Sequence, residues 1–169
     1  MTTYERNTPT MKSIALLALL VLGLTWTATA QPLAVDAKAG LSVLTGGGGS
    51  TALLFGAGVE IPIQSNLIFR PELDLTTHSG TPVEIAGLVK YTLPAGTASI
   101  PLYIDGGLSA WFYSGGSSLG MDFGGGTYFS AGGGKTQIPL EIRLGPIFNS
   151  NSSSFQLSLA TGIRFSLGD

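Results

Sequence analysis

The one histidine of the sequence, His78, lies beside a serine and close to an acid, which are the residue types of a hydrolytic triad. Ser79 would be the nucleophile, His78 the general base and Glu84 the orienting acid. Side chains of consecutive residues in an extended loop diverge, so Ser79 and His78 are poorly placed to meet. We therefore predict a solvated loop histidine, no catalytic residue and no enzyme activity.

Metal and phosphate chemistry has little support in the sequence. The chain has one histidine and no cysteine, too few nitrogen and sulfur ligands for a metal site. Glycine runs at 45–50 and 132–136 resemble a phosphate-binding loop in composition only, because each precedes a predicted strand and not a helix. We interpret both runs as hairpin turns, and we predict no cofactor and no metal.

The start of the chain has the pattern of an export signal. Lys12 precedes a short apolar run, and Ala28 and Ala30 fit the small-residue cleavage pattern. The run is too short to span a bilayer as a helix. The predicted division is a signal peptide at 1–30, of which 1–10 is an over-long start, and a single domain at 31–169.

Alternating apolar and polar residues recur in eight segments of this domain. Each is about ten residues long and is bounded by glycine, serine, asparagine or proline, as in membrane-spanning strands joined by turns. The segments are 33–44, 52–63, 67–76, 82–93, 101–113, 119–129, 138–148 and 155–167. The sequence therefore predicts an all-β fold, an eight-stranded antiparallel up-and-down transmembrane β-barrel. Pro71, inside the third segment, predicts a bulge or break there because proline cannot donate to the ladder.

Charged residues are few, and nearly all of them share one strand face. They make up 11% of the chain, against about 25% in soluble domains. We predict that this face lines the barrel interior as an ion-pair network. Its members are Asp36, Lys38, Glu60, Arg70, Glu72, Asp74, Glu84, Lys90, Asp105, Asp122, Glu141, Arg143 and Arg164. Hairpin geometry predicts three neighbouring pairs: Glu60 with Arg70, Lys90 with Asp105, and Asp36 with Arg164.

Alternation alone does not decide which face is inside, since a soluble lipocalin-like ligand-binding barrel has the same period. The low charge and the glycines on the polar face favour a polar interior and a lipid-facing apolar wall. Aromatic residues near the segment ends fit two interfacial girdles. The predicted outer girdle is Phe55, Phe112, Phe148 and Phe155, and the inner one is Phe69, Tyr91, Phe129 and Phe165.

The export signal, the eight segments and the C-terminal run resemble the outer-membrane β-barrel superfamily, in particular the small eight-stranded barrels of the outer membrane protein A transmembrane type. The resemblance implies an outer-membrane location and assembly by the barrel-assembly machinery. Gly162, Phe165 and Leu167 match the last-strand signal of that group. Leu167 stands where the group has an aromatic residue, and two further residues follow it.

The expected function is a structural or interaction role in the outer membrane, with a packed charged lumen rather than an open pore. Besides the soluble barrel, two alternatives remain: an outer-membrane lipid-modifying enzyme, whose residues would be His78, Ser79 and Glu84, and a narrow cation-leaning channel. The short outer loops argue against receptors and adhesins. Outer-membrane lipid is the expected partner of a monomer, and nine acids against six bases after residue 30 argue against nucleic acid.

Overall fold

The computed structural model describes residues 32–46, 49–94, 100–132, 135–149 and 153–168. The predicted signal peptide lies outside these ranges, as does Asp169. Within them, no helix is long and apolar enough to cross a membrane.

Eight strands form one closed antiparallel barrel in which each strand pairs with its neighbours in the sequence. They are β1 (Ala34–Thr45), β2 (Ser50–Gln64), β3 (Leu67–Thr76), β4 (Val83–Thr92), β5 (Leu102–Tyr113), β6 (Gly116–Ser130), β7 (Thr136–Phe148) and β8 (Ser153–Ser166). The barrel closes where β1 pairs with β8 along its whole length. The predicted fold is confirmed, and each predicted end lies within three residues of the observed one.

The two faces of the wall differ as the period of two requires. In β2, Leu53 is 51% exposed and Phe55 is 48% exposed, whereas Leu54 between them is 1% exposed. Large apolar side chains of all eight strands are exposed in the same way on the outer surface. A water-soluble surface would not carry so large an apolar area. The soluble lipocalin-like alternative is therefore wrong, because it needs the apolar face inside.

We call the end where β1 begins and β8 ends the inner end, and the opposite end the outer end. Four short connections, β1–β2, β3–β4, β5–β6 and β7–β8, lie at the outer end. The predicted outer girdle is correct for Phe148 and Phe155, which lie at or near strand ends. Phe55 lies opposite Ala39 in the middle of β1 and opposite Leu75 near the outer end of β3, so its place in the outer girdle stays a prediction.

Pro71 lies inside β3 without a bulge. The β2–β3 pairs on either side of it, Gly58 with Glu72 and Ile61 with Phe69, keep one register, and the ladder to β4 is continuous. The missing N–H interrupts only the ladder to β2. The predicted bulge at Pro71 is therefore wrong, and the predicted break is confined to the ladder with β2; the register of this hairpin shifts between Pro62 and Gln64.

A glycine allows the first and last strands to approach each other at the closing seam. An added Cβ at Gly162 of β8 would overlap the carbonyl oxygen of Ala37 and crowd the Cα of Lys38, both in β1. Gly40 of β1 has the reciprocal relationship with Leu159 of β8. Gly162 therefore has a role in closure besides the one that the C-terminal pattern predicts for it.

Candidate functional site

Charged side chains from opposite walls meet in the middle of the barrel. Strands β3 and β7 are four strands apart in either direction around the ring, so they face each other across the lumen. Arg143 of β7 donates to Glu72 of β3 from both terminal nitrogens, at 2.5 and 3.2 Å. Arg70 of β3 donates to Glu141 of β7 at 2.5 Å. These two pairs bridge the full width of the lumen.

Lys38 of β1 joins the same central network from a third wall. Its ammonium forms ion pairs with Glu72, with Asp74 at 2.9 Å and with Glu141 at 3.3 Å. Asp36, two residues earlier, accepts from Arg70 at 3.0 Å. Glu72 thus contacts three cations at once, which offsets the cost of burying its charge.

A second layer lies toward the inner end. Lys90 forms an ion pair with Glu60 and lies over two aromatic rings, 4.0 Å from the centroid of Tyr103 and 4.8 Å from that of Tyr128. Arg164 of β8 donates to the other carboxylate oxygen of Glu60 at 2.7 Å. The two tyrosine rings stack at 5.0 Å. Ion pair and cation–π contacts therefore fill the lumen here as well.

The structure places all thirteen predicted lumen residues on the inward face, and all except the half-buried Arg164 are buried. The ion pairs predicted from hairpin geometry are not the ones that form. Lys90 and Asp105 are opposite in the ladder, as are Asp36 and Arg164, but neither pair forms an ion pair: Lys90, Asp36 and Arg164 pair with other residues, and Asp105 has no ion pair among the described residues. In so narrow a barrel, long side chains extend toward the axis and meet partners from more distant strands. The ion pairs that these residues form are Lys90 with Glu60, Arg164 with Glu60, Asp36 with Arg70, Arg70 with Glu72, and Arg70 with Glu141.

Three of the buried acids have no ion pair within the described part of the chain: Glu84, Asp105 and Asp122. Each also has at least one carboxylate oxygen without a hydrogen-bond partner there. The network holds eight acids and five bases, so these three equal the excess of acids over bases. Glu84 faces the like charges of Asp122 and Asp74. The described residues include no group of three or more acids and histidines arranged to hold a metal ion.

His78 lies in the β3–β4 connection at the outer end, and it is buried, not solvated as predicted. Its Nδ1 is 2.8 Å from the hydroxyl of Ser50, and its Nε2 is 3.2 Å from the hydroxyl of Ser42. Gln156 of β8 donates to that Ser42 hydroxyl at 3.1 Å. We call Ser42, Ser50, His78 and Gln156 the outer cluster. His78 is buried because it bridges β1 and β2 instead of extending into the medium.

The triad of His78, Ser79 and Glu84 is not assembled. Ser79 is exposed and takes no part in the hydrogen bonds of the His78 ring. Glu84 is buried on the inward face of β4 among other acids. The structure brings His78 to two serines that sequence reasoning missed. The sequence indicates only that Ser42 and Gln156 belong to the polar faces of β1 and β8. Their position opposite His78 depends on the stagger of the whole barrel and could not be predicted.

The loop that carries His78 is held firmly in place. The backbone N–H of Thr77 donates to the carbonyl of Leu53 at 2.9 Å, and the N–H of Leu53 donates to the hydroxyl of Thr77 at 3.0 Å. Thr81 has φ of +44°, a strained backbone for a β-branched residue. Burial lowers the pKa of His78 below its ordinary value of 6.5, so the ring is neutral at pH 7.

A small cavity of about 90 Å³ opens at the outer mouth of the lumen. Leu44, Pro82, Trp111 and Ile147 form its apolar lining. On one side, Tyr113 donates to the amide oxygen of Asn149 at 3.1 Å. Leu44 is also the ladder partner of Ser50, so the cavity adjoins the outer cluster.

A closed eight-stranded barrel with buried charges and an apolar outer wall is the architecture of the small outer-membrane β-barrels. Known structures of such proteins match this chain. Neisserial surface protein A matches with a TM-score of 0.66 at 14% identity, over 80% of this chain and 97% of that one.

Two further structures show the same likeness. The N-terminal β-barrel domain of Pseudomonas aeruginosa OprF has a TM-score of 0.52 at 12% identity, over 78% of this chain and 97% of that domain. The outer membrane enzyme PagL has a TM-score of 0.51 at 15% identity, over 79% of this chain and 99% of that one. No protein-family model and no curated protein sequence matches the chain. The fold is therefore shared with these proteins, and the apolar outer wall is that of a β-barrel that spans a membrane.

Proposed function

We propose that the protein is a sealed outer-membrane barrel with a structural or interaction role, acting through its outer end and lipid-facing wall and not as a pore. The cross-lumen pairs carry this proposal. Arg143 with Glu72 and Arg70 with Glu141 join opposite walls at 2.5 Å. An eight-stranded barrel has an interior only wide enough to be filled by side chains. A solute would have to break these buried pairs to pass.

The inner layer provides a second barrier along the same path. Lys90 lies against both Tyr103 and Tyr128 and is held by Glu60. Leu54 and Leu88 are also fully buried on the inward face. Charged, aromatic and aliphatic side chains therefore fill the lumen together. We therefore assign the function of this protein to its outer end and its lipid-facing wall.

Planar-bilayer recording tests the sealed lumen. The purified protein is inserted into bilayers, and a sixteen-stranded porin serves as the positive control because it holds an aqueous channel. We expect no current steps from this protein while the porin conducts. Discrete steps that recur in independent preparations would overturn the proposal. Heat-dependent gel mobility of the same preparation confirms that the barrel is folded.

A narrow cation-leaning channel is the second candidate, because Glu84, Asp105 and Asp122 are lumen acids with no ion pair among the described residues. It predicts cation-selective current that Glu84→Gln or Asp122→Asn reduces. The same recordings therefore separate the two functions. Absence of current from the unmodified protein favours the sealed barrel. A cation-selective current that the Glu84→Gln or Asp122→Asn variant reduces favours the channel.

The proposal includes export and assembly of a monomer whose partner is outer-membrane lipid. Residues 1–30 would be removed as a signal peptide, leaving residues 31–169 as the domain. Phe165 is exposed near the end of β8, where the barrel-assembly machinery would recognise it together with Gly162 and Leu167. Intact mass of the protein from outer membranes tests the first point: a chain beginning at Gln31 is expected. Accumulation of Phe165→Ala outside the outer membrane tests the second.

A further inference from the structure

Ser50 and His78 have the geometry of a nucleophile and its general base. The Ser50 hydroxyl lies 2.8 Å from Nδ1 of His78, within the range of a hydrogen bond between such groups. Ser50 is exposed at the outer end of β2, so a molecule from the medium can reach its oxygen. The neutral ring expected from the lowered pKa of His78 can accept the hydroxyl proton.

The other ring nitrogen is held as a catalytic histidine requires. Nε2 is 3.2 Å from the fully buried hydroxyl of Ser42. Because both partners are hydroxyls, the ring can carry its proton on Nε2, donate it to Ser42 and leave Nδ1 as an acceptor for Ser50. The two bonds between Thr77 and Leu53 hold the backbone beside the ring in this position.

The cavity at the outer mouth begins one strand away from this pair, since Leu44, which lines it, is the ladder partner of Ser50. Its volume is about 90 Å³, far below the ~300 Å³ or more of sites for drug-sized ligands. Leu44, Trp111 and Ile147 give it an apolar lining. A short acyl chain fits both its size and its polarity, and a long chain exceeds it.

We propose that Ser50 and His78 form a catalytic nucleophile–base pair for small carboxylic esters, with the acyl group in the cavity at the outer mouth. The Ser50 oxygen attacks the ester carbonyl as its proton passes to Nδ1 of His78. The bond to the alcohol breaks, and the alcohol leaves with that proton. Water, activated by the same nitrogen, then releases the carboxylic acid and restores Ser50. This activity is independent of whether the lumen conducts.

Covalent labelling with a fluorescent fluorophosphonate tests the nucleophile directly. The Ser50 oxygen forms a bond to phosphorus, the phosphorus–fluorine bond breaks, fluoride leaves, and His78 takes the hydroxyl proton. We expect the folded protein to be labelled, with the label mapped to Ser50 by peptide mass spectrometry. Heat-unfolded protein is expected to stay unlabelled, because its serines lack a base.

Three variants distinguish the pair from its surroundings. Ser50→Ala is expected to abolish labelling, and His78→Gln to slow it by about 100-fold, the lower limit of typical general-base catalysis. Ser79→Ala is the matched control, since Ser79 is an exposed serine beside His78 that does not contact its ring; it should label like the parent. Each variant is first shown to keep the heat-dependent mobility of a folded barrel.

Two further readouts separate catalysis from a structural role. The labelling rate of the parent should rise with pH through the titration of His78, with a midpoint below 6.5, and His78→Gln should lose this dependence. Hydrolysis of p-nitrophenyl butyrate should exceed that of p-nitrophenyl palmitate. Ile147→Phe, which fills the cavity, should lower butyrate turnover by roughly tenfold.

The proposal fails on any of three results. One is absence of label on folded parent protein, and another is label that maps to a residue other than Ser50. The third is equal loss in the Ser50→Ala and Ser79→Ala proteins. Labelling of Ser50 that is insensitive to His78→Gln would leave a reactive serine without a base and would overturn the pairing.

Discussion

Arg143 of β7 donates two hydrogen bonds to the carboxylate of Glu72 on the opposite wall of the barrel, at 2.5 and 3.2 Å. Two hydrogen bonds from the terminal nitrogens of one arginine fix the orientation of a carboxylate and also stabilise its negative charge. Glu72 also receives ion pairs from Lys38 and Arg70. Removing its charge therefore leaves three buried cations with one anion fewer.

Glu72→Gln is expected to lower the free energy of unfolding by about 3–5 kcal/mol, the usual cost of breaking a buried ion pair by removing one partner. Urea unfolding of the protein in lipid vesicles, followed by tryptophan fluorescence, measures it. Trp111 is buried on the inward face and should report loss of the packed lumen. Stability equal to that of the parent would show that the central network contributes nothing net.

Glu84→Gln, unlike Glu72→Gln, is not expected to lower the free energy of unfolding. Glu84 has no ion pair within the described residues and faces Asp74 and Asp122, which carry the same charge. The amide keeps the shape of the side chain and removes a buried carboxyl group that has no cationic partner among the described residues, so the midpoint of unfolding should stay the same or rise. The same urea titration compares Glu84→Gln with Glu72→Gln. A loss as large as that of Glu72→Gln would show that Glu84 has a cationic partner in the folded protein.

The fold could be predicted from the sequence because one local rule determines it. Alternation over about ten residues identifies a strand, and the assignment of the charges to one parity identifies the inward face. Pro71 interrupts the ladder to β2 as its missing N–H requires, but the strand tolerates it because the ladder to β4 is continuous. The loss of one donor was correctly expected, but it did not displace the neighbouring residues.

The contacts inside the barrel could not be predicted in the same way. Ladder neighbours follow from hairpin geometry, and Lys90 opposite Asp105 was found as expected. Lys90 forms its ion pair with Glu60 instead, because side-chain length and barrel stagger decide which charges meet near the axis. The partners of His78 depend on the same stagger, so the sequence indicated Ser79 where the structure places Ser42 and Ser50.

Gly162→Ala is expected to prevent closure of the barrel. The new methyl group would overlap the carbonyl oxygen of Ala37, a backbone atom that cannot move without disturbing the β1–β8 ladder. Gly115→Ala is the matched control, because an added Cβ there meets only the ring of Tyr113 at 3.9 Å. Heat-dependent gel mobility compares the two. Normal folding of Gly162→Ala would show that the seam can widen to accept a side chain.

His78 should make the stability of the folded barrel depend on pH. Burial lowers the pKa of His78 in the folded protein below its ordinary value of 6.5, so the unfolded chain binds the proton more readily. The stabilisation is therefore fully present above pH 6.5 and falls as the pH drops toward the folded-state value.

His78 is the only histidine in the sequence, and the difference between parent and His78→Gln isolates its contribution from that of the carboxylates. Urea unfolding between pH 8 and pH 5 should show the parent losing stability relative to this variant. A difference that stays constant with pH would mean that the ring titrates alike in both states, and that the outer cluster does not shield it from water.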